Sequence, residues 1–136
     1  MNRTEKSLWN KVRSLFPGTS NRVENGVAPG FPDTYHDWVR KSYWVELKIG
    51  STRVAEDPER AIKLMRWTQR VWSRRHVREG ARVFLLVGHS KGLVMYQLLH
   101  YQLSIRLEKI FQINGLLNSV NKLYFNIEMR KALEHG

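Results

Sequence analysis

The chain has 136 residues, 42% hydrophobic and 26% charged, with five Trp, five Tyr and five Phe; that suits one domain with a core, is too short for two, and is too aromatic for a disordered chain. Lys and Arg number 23 against 12 Asp and Glu, giving a net charge of +11 and an isoelectric point near 10.4, a balance that points to a polyanionic partner such as nucleic acid. The absence of cysteine excludes disulfides, thiolate catalysis and Cys-ligated zinc or iron–sulfur centres.

The first six residues lead into no signal-type stretch, and no apolar run approaches the ~18 residues of a membrane span, so a cytoplasmic setting is expected. Residues 4–16 read as a helix, with Leu8, Val12 and Leu15 on one stripe, Trp9 and Phe16 beside it, and Pro17-Gly18 as its stop. The stretch from there to Pro32 admits at most a short strand near Arg22-Val23-Glu24. A strand is expected over 33–39, then a turn, then a second strand over 43–49. The second is the clearest in the chain: Tyr43, Val45, Leu47 and Ile49 alternate with Trp44, Glu46 and Lys48. Asp57-Pro58 opens a long helix to about Arg78, with Asp57 as its cap and Gly80 as its end. A strand over 81–87, the turn Gly88-His89-Ser90-Lys91-Gly92 and a partner strand over 93–98 follow. The spacing of Leu99, Leu103, Leu107 and Ile110 predicts a helix over 99–111. Asn114-Gly115 reads as a turn, and a last helix over 118–134 carries Val120, Leu123, Tyr124 and Ile127 on one stripe. The order implies an α/β fold with a mixed central sheet flanked by helices. Residues 1–98 form its core, and 99–136 a helical C-terminal extension that either packs on the same domain or serves dimerisation.

Glu46 and Lys48 lie two apart on one strand and so share a face. Asp33 opens the preceding strand, and an antiparallel hairpin brings it alongside Glu46. Two carboxylates and an ammonium then meet at one place. Hard oxygen ligands of this kind suit Mg²⁺ or Mn²⁺, and a neighbouring Lys can orient water or offset charge on phosphate oxygens. A structural cross-strand ion pair would use the same residue types. Gly88-His89-Ser90-Lys91-Gly92 fits the Gly-x-Ser-x-Gly frame of a nucleophile elbow, but a strand pattern follows where that motif needs a helix, and too little chain remains for a hydrolase sheet.

The residues Gly30-Phe31-Pro32-Asp33, followed about a dozen residues on by Glu46-Leu47-Lys48, resemble the PD-(D/E)XK nuclease superfamily. The wider spacing, with a Gln-bearing helix after the Lys, is similar to its VRR-NUC and phage-type branch, related to Holliday junction resolvases. The resemblance implies a restriction-endonuclease-like core and a Mg²⁺-dependent DNA endonuclease, with Mn²⁺ as substitute. It implies Asp33, Glu46 and the Leu47 carbonyl as metal ligands, and Lys48 as the group that positions or activates water. It places a Gln near that Lys, which Gln69 matches, and an acidic residue upstream, for which Glu5 and Glu24 compete, Glu24 in Arg22-Val23-Glu24-Asn25 being preferred. Junction-cleaving relatives act as two-fold dimers, so a homodimer on branched DNA is the implied assembly.

Residues 58–78 hold seven basic residues, namely Arg60, Lys63, Arg66, Arg70, Arg74, Arg75 and Arg78, against Glu59 alone, a net +6. Lys63, Arg66, Arg70 and Arg74 recur at three, four and four. Like charges so spaced repel, so the ridge suggests phosphate contact, to which Lys91 adds a further cation. Ile62, Met65, Gln69, Trp72 and His76 form an apolar stripe on the same segment, where a buried Gln needs a partner; His76 reads as a packed or helix-end histidine. A DNA-binding module without catalysis shares the charge but does not need Asp33, Glu46 and Lys48 to converge. A nicking or repair nuclease on duplex or flap DNA, or an RNA-directed nuclease, keeps the site and changes the substrate.

Overall fold

The computed structural model describes residues 1–23 and 30–135. Helix α1 (Arg3–Val12) opens on a capping box: the Asn2 side chain accepts the Glu5 N–H at 2.8 Å, and the Asn2 N–H donates to the Glu5 carboxylate at 3.3 Å. It is one turn shorter than the spacing predicts. Leu15 and Phe16 are nevertheless buried, because the turn after Val12 keeps both against the same core.

Six strands form one sheet in sequence order: β1 (Thr19–Arg22), β2 (Thr34–Trp38), β3 (Lys41–Ile49), β4 (Val83–His89), β5 (Gly92–Tyr101) and β6 (Ser104–Asn114). Four of the five pairings are antiparallel; β3 and β4 alone are parallel. The β2–β3 hairpin turns on two residues, Val39 and Arg40, both with positive φ, the geometry of a primed turn.

A parallel pair needs a crossover. Here it comprises α2 (Thr52–Ala55), α3 (Pro58–Ala61), a 3₁₀ turn (Ile62–Leu64) and α4 (Trp67–Arg78). The single helix expected over 58–78 is therefore wrong. Met65 and Arg66 are extended, and a new helix starts behind them, where the Gln69 side-chain oxygen accepts the Arg66 N–H at 2.8 Å. The apolar stripe survives the break, since Met65, Gln69 and Trp72 are all buried.

Both faces of the sheet are covered. Tyr43, Val45, Leu47, Phe84, Leu86 and Met95 meet α1 and the last helix, α5 (Ser119–Glu134). Val83, Leu85, Val87, Val94, Tyr96 and Leu98 meet the crossover. β4 is consequently apolar at nearly every position, as a strand buried on both faces must be.

The helix expected over 99–111 is a strand. β5 continues to Tyr101, turns through Gln102, whose φ is positive, and returns as β6. The register shifts by one residue opposite Met95/Tyr96, so Ile105 and Leu107 face the crossover while Phe111 and Ile113 face α5. That bulge breaks the two-residue alternation and leaves an apolar spacing that imitates a helix. In α5 the stripe Val120, Leu123, Tyr124 and Ile127 is exposed, and Phe125, Met129 and Leu133 dock on the sheet instead. The helix carries two apolar stripes, and periodicity does not say which one the core takes.

His36 on β2 is wholly buried. It stacks on Tyr43 with centroids 4.5 Å apart, and its ring nitrogens lie 2.8 Å from the Ser20 and Thr34 hydroxyls. Burial, partly offset by the Asp37 charge, lowers its pKa from 6.5 to about 3. The unfolded chain takes up this proton below 6.5 and the folded chain only near 3. Stability attached to neutral His36 is therefore fully present above 6.5 and is lost between 6.5 and 3, by up to about 1.4 kcal/mol per pH unit. Urea unfolding of the wild type and His36→Gln from pH 7 to pH 4 checks this. The wild type is expected to lose stability more steeply, and parallel curves would refute the assignment.

Candidate functional site

Gly30 starts the approach to the site. Its φ is +94°, and a Cβ there would overlap the Thr68 carbonyl oxygen and the Trp72 side chain. Only glycine lets the chain lie this close to α4, and Phe31 then wedges between Trp44 and Trp72. Pro32 follows, buried, and Asp33 stands just before β2.

β2 ends its pairing with β3 at Thr34 and Val45. The next outward N–H of β3, that of Leu47, would be left without a strand partner. The Asp33 carboxylate accepts it at 2.9 Å. The Trp44 N–H points the other way, to the Arg82 carbonyl at the β4 side, so odd-numbered residues of β3 turn their backbone groups toward β2. A residue's N–H and C=O project to the same side of a strand. The Leu47 carbonyl therefore faces the same edge, past the end of β2 and beside Asp33.

Glu46 is 1% exposed, and neither of its carboxylate oxygens meets a hydrogen-bond partner among the described residues. A bare buried carboxylate is costly unless it is neutralised or paired. Burial pushes the Glu46 carboxyl well above the usual carboxylate range. The adjoining Asp33 carboxyl pushes it further; Lys48 pulls it down and Glu5 adds a smaller upward push. Asp33, Lys48 and Glu5 thus all act on Glu46 electrostatically, although the four residues come from three separate elements. Glu5 is itself buried and held by the Asn2 amide at 2.9 Å. Glu24 lies outside the described residues.

The donor set fits a hard divalent cation: two orphaned, buried carboxylate oxygens, a second carboxylate and a carbonyl at one strand edge. Among the described residues no group of three or more His, Asp or Glu side chains is disposed to hold a metal. Mg²⁺ characteristically takes one or two carboxylates and keeps several waters.

The remaining residues named from the sequence are spread more widely. Gln69 is buried at 3% exposure with its oxygen engaged at the start of α4. Lys63 lies in the 3₁₀ turn and Arg66 in the extended break, so of the expected ridge only Arg70 and Arg74 share a helix. Among the described residues none of these four pairs with a carboxylate; the ion pairs there include Arg60–Asp57, Arg78–Glu79 and Lys131–Glu128. Lys91 is exposed in the β4–β5 turn. His76 stacks on Trp72 at 3.9 Å, a packed histidine as its position in the stripe suggests. Trp67, 68% exposed between Arg66 and Arg70, went unmarked in the sequence; the available signal is that it stands off the buried stripe, flanked by cations.

Fold and site together define an α/β protein with a carboxylate pair, its Glu46 buried, at the end of a β-hairpin, next to a strongly cationic crossover. A scan against protein-family models and a search of curated proteins found no match. Among solved structures the chain is similar to Hjc, a Holliday junction resolvase from the archaeal hyperthermophile Archaeoglobus fulgidus, at 19% identity and a TM-score of 0.44, over 79% of this chain and 85% of that one. Among the described residues no helix is long and apolar enough to cross a membrane.

Proposed function

We propose that the chain is a Mg²⁺-dependent endonuclease that hydrolyses phosphodiester bonds in DNA, with branched DNA such as a four-way junction as its preferred substrate. The observation that carries this reading is the Glu46 carboxylate, buried without a partner beside Asp33 and on the strand face of Lys48. Asp33, Glu46 and the Leu47 carbonyl would hold the cation, with Mn²⁺ as substitute. When bound, such an ion supplies positive charge to phosphate oxygens and lowers the pKa of water.

The chain's own groups do the rest. The Leu47 N–H fixes the Asp33 carboxylate in one orientation. Lys48 places an ammonium where it can hold the attacking water or donate to a phosphate oxygen. Gln69 supports Lys48 from α4, and Glu5 is the upstream acidic residue. Lys63, Arg66, Arg70, Arg74 and Lys91 hold backbone phosphates. The junction preference and the VRR-NUC and phage-type affinity rest on the Gly30-to-Lys48 motif. A homodimer supplies the two sites that paired cuts require, and the exposed stripe of Val120, Leu123, Tyr124 and Ile127 is the surface assigned to it.

The test is incubation of the wild-type protein with a labelled four-way junction, the matching linear duplex and the single strand, each with Mg²⁺, Mn²⁺ or EDTA. Metal-dependent cutting that favours the junction is expected. Equal cutting of every substrate would keep the nuclease and remove the junction preference. Binding without cutting in any metal would leave a non-catalytic DNA-binding module.

A further inference from the structure

Away from the carboxylate pair, a groove of about 360 Å³ runs between α4 and the start of β6. Its walls include Trp67, Val71 and Ile105, its rim Arg70 and Arg74, and no acidic side chain lines it. β6 is the third strand beyond β3, which at ordinary strand spacing puts the groove ~14 Å from the Glu46 strand across the sheet. It is a separate surface.

Three observations converge on what it fits. Trp67 is 68% exposed although the chain buries Trp9 and Trp72 to 3% and 7%, and an indole left in water forgoes a large burial gain. The Arg74 guanidinium stands at the rim, its Nη1 donating to the Leu103 carbonyl at 3.1 Å, one of the five donors a guanidinium carries. The Arg70 Nε–H is shielded from solvent and has no hydrogen-bond partner among the described residues, a donor lacking an acceptor. A π-face beside two guanidinium groups, in a cleft without counter-charge, matches an unpaired nucleotide: the base stacks on the indole and its phosphate takes the arginines. A duplex hides its base faces and cannot use Trp67 in this way.

We infer that the Trp67–Arg70–Arg74 groove is a docking site for unpaired nucleotides of single-stranded DNA, distinct from the carboxylate pair. It rests on the nucleic-acid reading above and adds a substrate feature to it: a single-stranded arm or flap is held on the far side of α4 from the hydrolytic site.

The experiment is fluorescence anisotropy with labelled oligo-dT and a blunt duplex of equal length, in EDTA so that nothing is cut. The proteins are wild type, Trp67→Ala, Trp67→Phe and Arg70→Ala/Arg74→Ala. Trp67→Ala is expected to weaken oligo-dT binding about tenfold, to leave duplex binding within about twofold, and to keep the wild-type melting temperature; Trp67→Phe restores most of the loss. The double Arg variant weakens both ligands and flattens the salt dependence. Wild-type affinity of Trp67→Ala for oligo-dT overturns the inference, as does an equal loss for both ligands. Displacement of oligo-dT by an acidic peptide in a Trp67-dependent way, or a change in oligomeric mass in Trp67→Ala, would assign the groove to a protein partner and also overturn it. If the wild type binds neither oligonucleotide, the nucleic-acid reading falls with it. If it binds duplex normally and Trp67→Ala changes nothing, only the groove falls.

Discussion

Replacement of Glu46 by Ala, Asp33 by Asn or Lys48 by Ala is expected to slow metal-dependent cleavage of DNA at least a thousandfold while affinity for the same DNA stays within about threefold. A thousandfold is about 4 kcal/mol of transition-state stabilisation, in the range of losing a positioned charge from a desolvated site. Asn at position 33 keeps an acceptor for the Leu47 N–H, so it removes charge without releasing the strand edge. Ala at position 46 removes a buried carboxylate that meets no protein donor; the metal-free variant is therefore expected to be at least as stable as the wild type. Single-turnover cleavage, with binding measured in parallel by anisotropy, separates chemistry from docking. Cleavage at the wild-type rate by any of the three removes that residue from the site. Cleavage and binding lost together would indicate a damaged fold.

Phe125→Ala is expected to cost about 3–5 kcal/mol, the range for deleting a buried ring. Phe125 is fully buried, edge-on to Phe16 and Phe111 with centroids 5.1 Å from each. It ties α5 to both the segment after α1 and the last strand. Urea unfolding measures the loss directly. A cost under about 1 kcal/mol would mean that α5 is dispensable to the core. Leu123→Ala, on the outward stripe at 61% exposure, is the control and should change monomer stability by less than about 0.5 kcal/mol.

Much of the N-terminal half was legible. β3 shows a clean alternation because its ends are half exposed and its middle is packed. The approach of Asp33 to Glu46 follows from hairpin geometry alone. Gly30 and Pro32 signal a fixed backbone even before α4 is known to lie against it. Three elements were misread for specific reasons. Met65-Arg66 contains neither Gly nor Pro, so nothing local marks the break; the buried Gln69 side chain makes it. β6 carries a one-residue bulge, and a strand with a shifted face has no clean period. α5 has apolar residues on two sides, and only the neighbouring Phe16 and Phe111 choose between them. Trp67 lies off the buried stripe, but its position alone does not give its exposure, which is 68%.

The sheet order has a consequence for how the molecule is assembled. Neighbouring strands are neighbours in sequence, so the sheet is two three-stranded meanders joined at a single seam, β3 against β4. Each meander closes short loops, and only the seam waits for the crossover, so it carries most of the loop-closure entropy. Asp33 and Glu46 both belong to the first meander. Their meeting is set by a local hairpin rather than by the seam, while the burial that raises the Glu46 pKa also needs the second meander, since β4 lies directly beside β3. A circularly permuted chain opened in the exposed turn after α4, at Glu79-Gly80, would keep the carboxylate pair on one continuous stretch and place the cut on the far side of the late step.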